Sequence, residues 1–319
     1  MDNRDEIQLM VQVARLYHES RLNQEEIAQR LNLTRQKVSR LLIAAKSQGI
    51  VRTVVYDPTP GDSNLGNELK RRFHLHEVVL TPGENLEGNQ LRAAIGLVAA
   101  EYLKRNLPAD QNVGIGWGRT LYETVNLIGK SEQKHINVIP LIGGIGDISP
   151  FFQVNELVRQ LANAFDGTYR HFYAPAFVED NTVLVNLLKT QEIAQSFELW
   201  ARLDVAVVGI GHVEFQKISS MFFADHITPQ TLSLLESKET VGDICARFFD
   251  IRGTQVFPEL GVVGINLGQL KAIPEVIAIA GGMEKVRAVL GALRGGYIKT
   301  LITDTATARA VLAENEERR

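Results

Sequence analysis

The 319-residue sequence predicts two domains, a small, mainly α helix-turn-helix domain at the N-terminus and a larger α/β domain with a mostly parallel sheet. Three observations carry this prediction. Residues 23–45, NQEEIAQRLNLTRQKVSRLLIAA, hold two amphipathic helical stretches separated by a short break. From Gln111 onward a β-prone run, a glycine-rich turn and a helix recur, an order that packs parallel strands between helices. Between these regions, Asp57-Pro-Thr-Pro-Gly61 can continue neither helix nor sheet, so the domains are expected at 1–56 and 62–319, with 57–61 as linker.

In chain order, Glu6 to Tyr17 places Ile7, Met10, Val11, Ala14 and Tyr17 at helical spacing and predicts a supporting helix. Asn23 is placed to cap the next helix, Glu26 to close a capping box, and Glu25 and Glu26 suit the positive helix start. Ile27, Ala28 and Leu31 form a narrow apolar face, Asn32-Leu33 interrupts, and Thr34 offers a second N-cap. In the following helix Val38, Leu41, Leu42 and Ala45 fall on one face, leaving Gln36, Ser39, Arg40 and Ile43 pointing away. That helix is expected to stop at Gly49, and Ile50 to Tyr56 reads as a strand suited to a wing.

Charge gives the helix pair a function. The whole chain carries a formal net charge of -3, so any nucleic-acid contact must be local. From Ile27 to Tyr56 the bases Arg30, Arg35, Lys37, Arg40, Lys46 and Arg52 occur without a single Asp or Glu. Arg35 and Lys37 occupy a first turn where the helix dipole favours acids, an arrangement that calls for a nearby anion. Gln36 and Arg40 suit base edges, while Thr34, Arg35 and Lys37 suit phosphates. Double-stranded DNA is therefore the expected partner, met by Thr34, Arg35, Gln36, Lys37, Ser39 and Arg40. Two merely solvated helices would not need the caps, the turn and the charges to agree.

In the second domain, Asn64 to Phe73 resumes helical spacing, either packing on that domain or serving a dimer contact. Val78 to Leu80 reads as a strand and Gln90 to Arg105 as a helix. Strand–turn–helix patterns follow at 112–125, 136–147, 203–214 and 276–290, and a last one runs from Ile298 to Leu312. In such sheets the loops at the carboxyl ends of the strands line the ligand crevice. Gly114, Gly116 and Gly118, followed by Arg119-Thr120, depart from G-x-G-x-x-G and disfavour a nicotinamide cofactor. The helix start after Gly118 can instead receive an anion, with a guanidinium from Arg119 and a hydroxyl from Thr120. Gly143-Gly144 and Gly281-Gly282 repeat the pattern at two more strand ends. Lys285 suits a phosphate or solvent, Asp243 suits sugar hydroxyls or a turn, and Arg247 can pair with such an acid.

Other chemistries find little support. The single Cys245 excludes an intramolecular disulfide and a multi-cysteine zinc site, fits a reducing cytosol and is expected in the core. The acidic N-terminus lacks an apolar signal core and no apolar run approaches the roughly 20 residues that span a bilayer, so a cytoplasmic protein without membrane contact is expected. Seven histidines without H-E-x-x-H spacing argue against a metal, and Ser149, Ser219 and Ser220 lack a G-x-S-x-G context. No cofactor is expected. A sugar-phosphate isomerase or deaminase fused to a DNA-binding domain is the alternative, with Asp147, Asp243 and Lys285 as possible acid/base groups. No spacing fixes any two of these together, so a non-enzyme is the expectation.

The order of these motifs, with VIPLIGG at 138–144, DVAVVGIG at 204–211, VGDICARFFD at 241–250 and AGGMEKVRAVLGALRGGYIKTLITD at 280–304, resembles the SorC/DeoR-type family of bacterial sugar-responsive transcription regulators. The likeness spans nearly the whole chain, and GWGR at 116–119 looks closest to the sorbose-operon type. The resemblance implies a winged helix-turn-helix joined to an effector domain similar to the sugar-phosphate isomerase and glucosamine-phosphate deaminase fold. It also implies control of operator binding by a sugar, polyol or sugar phosphate, and a homo-oligomer, dimer or tetramer. Carried over by motif, the effector would meet Gly116, Gly118, Arg119, Thr120, Gly143, Gly144, Asp243 and Lys285.

Overall fold

Asn23 closes the capping box that its spacing to Glu26 predicts. Its Oδ1 accepts from the backbone N–H groups of Glu25 and Glu26, both at 3.0 Å, and the Glu26 carboxylate accepts from the Asn23 N–H at 2.7 Å. The computed structural model describes residues 3–18, 20, 22–47, 50–51, 63–146, 153–215, 224–257 and 261–317. The chain divides into two units, 1–55 and 56–319.

The first unit holds α1 (Asn3–His18), α2 (Gln24–Leu31) and α3 (Arg35–Ser47). Asn32, at φ 52°, ends α2 in the left-handed region, which asparagine tolerates, and the Leu33 N–H returns to the Ala28 carbonyl at 2.8 Å. Thr34 Oγ1 accepts from the Lys37 N–H at 3.2 Å, so the second cap forms as well. Met10, Val13, Ala14, Ile27, Ala28, Val38, Leu41 and Ala45 form the core of this unit. The buried face of α1 is rotated from the expected one: Val13 is fully buried, Val11 only half-buried, and Ile7 and Tyr17 are exposed. The strand expected over 50–56, the stop at Gly49 and the linker 57–61 lie wholly or mostly outside the described residues.

The second unit begins with α4 (Ser63–Phe73), β1 (Glu77–Thr81), α5 (Gly88–Asn106), β2 (Asn112–Ile115), α6 (Arg119–Ile128), β3 (Asn137–Pro140), α7 (Val154–Ala164) and β4 (Thr168–Tyr169). It continues with β5 (Phe177–Val178), α8 (Asn181–Leu188), α9 (Gln191–Trp200), β6 (Val205–Val208), β7 (Gly211–His212), α10 (Pro229–Ser237), β8 (Thr240–Ile244), β9 (Arg247–Asp250) and β10 (Gln255–Val256). Then follow β11 (Gly261–Val262), α11 (Leu267–Ala272), β12 (Glu275–Ile279), α12 (Val286–Arg294), β13 (Thr300–Asp304) and α13 (Thr305–Glu317).

Seven strands form a parallel sheet in the order β1-β13-β12-β6-β2-β3-β4. Its inner strands read as short, largely apolar runs because both faces are covered. Val205 and Val207 enter one core with residues of α5, α6 and α7, while Ala206 and Val208 enter the other with residues of α12 and α13. Leu65 and Leu69 of α4 are buried in the latter core, so packing accounts for the apolar face weighed as a dimer contact.

VGDICARFFD places Asp243 beside a turn, one of the two roles its sequence offered. It forms an antiparallel hairpin, β8 and β9, in a second sheet of order β10-β9-β8-β7. Its turn residues Cys245 and Ala246 both have positive φ, 50° and 57°.

A candidate effector cavity at the carboxyl ends of three adjacent strands

The neighbours β12, β6 and β2 each end in a glycine-bearing loop, and these loops come together over the sheet. β2 leads on to β3 on one side, whereas β6, its neighbour on the other side, leads away toward β12. The strand order reverses at that point, where parallel α/β sheets hold their ligands. Gly118, Arg119 and Thr120 from the first loop, Gly209 to His212 from the second and Gly281, Glu284 and Lys285 from the third line one cavity, with Asp243 and Cys245 in its wall.

Three helix starts border this space. The first turns of α5, α6 and the 3₁₀ turn Met283–Lys285 all contribute lining residues, and none carries a side-chain cap. The Gln90 and Lys285 N–H groups are taken up by the Glu87 and Gly282 carbonyls, so the earlier N–H groups of these turns are the ones an anion or ligand oxygens would meet. Gly118 starts α6 at φ 137°, a conformation open to glycine and strained for any L side chain. Thr120 is buried behind the exposed Arg119.

Asp243 is the buried acid of the site, 5% exposed. Burial pushes its pKa up to about 6, against the lowering effects of the Ala246 N–H and of Lys285. The Ala246 N–H donates to its Oδ2 at 3.0 Å, so the carboxylate also closes the hairpin turn. Half-buried Lys285 donates from Nζ to the Ile210 carbonyl at 2.8 Å. Desolvation pulls its pKa down, Glu284 and Asp243 hold it up, and Arg92 and Arg119 push it down again. Three cations from three elements thus share one electrostatic neighbourhood with two carboxylates. The Cys245 thiol is driven up to about 12 by burial and by Asp243, which makes it a neutral wall group.

Five of the eight effector residues named from the sequence line this cavity: Gly118, Arg119, Thr120, Asp243 and Lys285. Gly116 lies behind the first loop against Cys245. Gly143 and Gly144 belong to another contact: a Cβ at Gly143 would stand 2.5 Å from the Pro175 carbonyl oxygen, and Gly144 bridges Pro175. Close backbone packing requires glycine at Gly143. Among the described residues Arg247 pairs with no acid; its guanidinium donates to the carbonyls of Val262, Gly264 and Ile265 at 2.8–3.2 Å. Asp147, Ser149, Ser219 and Ser220 lie outside the described residues.

The sequence reading did not single out Arg92, Trp117 and His212 as cavity residues. Arg92 is the fifth residue of α5, a turn further into its helix than Arg119, and the β1–α5 loop lacks the glycine repeat that drew attention elsewhere. Among the described residues no group of three or more His, Cys, Asp or Glu could hold a metal, and no helix is long and apolar enough to cross a membrane.

Residues 57–313 match the sugar-binding domain family. The deoxyribonucleoside regulator of Bacillus subtilis is 31% identical over 97% of this chain and 99% of its own. The sorbitol operon regulator of Klebsiella pneumoniae is 30% identical over 98% of this chain and 100% of its own. The crystal structure of the full-length sorbitol operon regulator SorC from Klebsiella pneumoniae superposes with a TM-score of 0.75 at 29% identity, covering 98% of this chain and 99% of that one. With this likeness running through both its helical N-terminal unit and its parallel-sheet C-terminal unit, the chain belongs to the SorC/DeoR-type family of sugar-responsive transcription regulators.

Proposed function

We propose that this protein regulates a carbohydrate-catabolism operon and that a sugar, polyol or sugar phosphate held in the cavity sets its affinity for operator DNA. The observation that carries the effector reading is the convergence of Arg119, Lys285 and Arg92 with three uncapped helix starts around the buried Asp243. A phosphate satisfies the first set through its charge and several acceptor oxygens, and sugar hydroxyls donate to Asp243. In this reading α2 and α3 form a helix-turn-helix completed by a wing over residues 50–56, and Thr34 to Arg40 meet the DNA. The larger unit is read as a relative of the sugar-phosphate isomerase and glucosamine-phosphate deaminase fold, retained for binding. A homo-oligomer, dimer or tetramer, supplies the paired reading heads that two-fold operators require.

A thermal-shift screen of sugars, polyols and their phosphates tests the effector, because ligands that bind the native state raise its stability. Sugar phosphates should raise the midpoint, and Arg119→Ala should abolish that rise; an undiminished shift removes Arg119 from the site. The proximity of Asp243 and Lys285, with the Asp243 pKa near 6, favours one second reading, an acid/base pair of an active isomerase or deaminase. Turnover of simple sugar phosphates by the purified protein, lost in Asp243→Asn, would establish it.

A further inference from the structure

Ile43 interrupts an otherwise polar surface on α3. The other exposed residues of that helix are Arg35, Gln36, Lys37, Arg40, Lys46 and Ser47, whereas Ile43 leaves 67% of its surface to solvent. It takes no part in the buried face of Val38, Leu41 and Ala45. A scattered exposed isoleucine needs no explanation by itself, so its position has to carry the argument. Seven residues bring an α-helix round by nearly two turns, which sets Ile43 within about 20° of Gln36, with Ser39 and Arg40 between them. The stripe Gln36–Arg40–Ile43 therefore runs about 10 Å along the helix, on the order of three base-pair steps of 3.4 Å each. Gln36 and Arg40 match the hydrogen-bonding edges of bases. The one apolar group that base pairs display in the major groove is the thymine C5 methyl.

We infer that Ile43 reads a thymine methyl group in the operator, about one base-pair step beyond the base met by Arg40. The inference rests on the reading of α3 as the helix that enters DNA. It assigns specificity to a residue with no hydrogen-bonding group.

The test starts from duplexes selected out of a random pool by the full-length protein. Each thymine of the selected site is replaced in turn by uracil, which deletes only the methyl group, and affinities are measured for the wild type and for Ile43→Ser. At one position in each half-site uracil should weaken wild-type binding about fourfold, the equivalent of about 0.8 kcal/mol for one buried carbon. The same replacement should leave Ile43→Ser unchanged, and Ile43→Val should keep part of the effect. Because the side chain is exposed, the thermal midpoint of Ile43→Ser should match that of the wild type. A selected site at which every uracil is neutral to the wild type, or costs both proteins equally, overturns the inference and leaves DNA binding intact. If no sequence is enriched, the reading of α3 falls and Ile43 falls with it.

Discussion

Asp243 ties the hairpin turn at Ala246 while facing Lys285, and burial raises its pKa from 3.8 to about 6. The folded state therefore holds a proton that the unfolded chain releases near pH 4. The stabilisation from the protonated form is full below that pH and is lost as pH rises through about 6. Relative to Asp243→Asn, which keeps an acceptor for the Ala246 N–H, the wild type should lose roughly 2 kcal/mol of stability between pH 4 and pH 7. Urea unfolding of both proteins at the two pH values measures this. A constant difference would mean that Asp243 titrates as an ordinary carboxylate. Its residue type and apolar flanks marked Asp243 as a candidate in the sequence. Arg247 was marked by the same neighbourhood, yet the hairpin points its guanidinium at the carbonyls of Val262, Gly264 and Ile265. Direction across a two-residue turn is not legible from spacing.

At the scale of elements, α3 separates a buried face from an outward one that carries Gln36, Lys37 and Arg40. Its two kinds of polar contact should be distinguishable. Arg40→Ala should cost roughly 1–3 kcal/mol on the operator and much less on random DNA, because a lost base contact removes discrimination. Lys37→Ala should weaken both and lower the slope of log affinity against log salt by about 1. Binding titrations across a salt series settle the assignment, and equal losses on both DNAs for Arg40→Ala would sink it. The caps at Asn23 and Thr34 made these helices readable, since capping is local chemistry. The β8–β9 hairpin was hidden for the converse reason. Tight hairpin turns with two positive φ values usually announce themselves as Asn-Gly or Asp-Gly, and here Cys245-Ala246 takes that conformation without the signal.

For the whole molecule, sugar-responsive regulation is a coupling between two binding events. A tenfold change in operator affinity on effector binding corresponds to about 1.4 kcal/mol. Linkage then requires the operator to change effector affinity by the same factor and in the same direction. Titrating the effector into the full chain with and without saturating operator measures both sides, and unequal factors would rule out a simple coupled equilibrium. The sequence by itself determined α2, α3 and the strand–turn–helix units that hold β2, β12 and β13, because apolar periodicity, caps and glycine turns act within a few residues. It also determined the chemistry of Arg119, Asp243 and Lys285. Only the tertiary structure decided which glycine loops share a cavity. The sheet order sets β12, β6 and β2 side by side, which gathers Gly118, Gly209 and Gly281 and turns Gly143 and Gly144 to backbone packing. Strand neighbourhood is fixed by pairing between distant segments, and no local pattern encodes it.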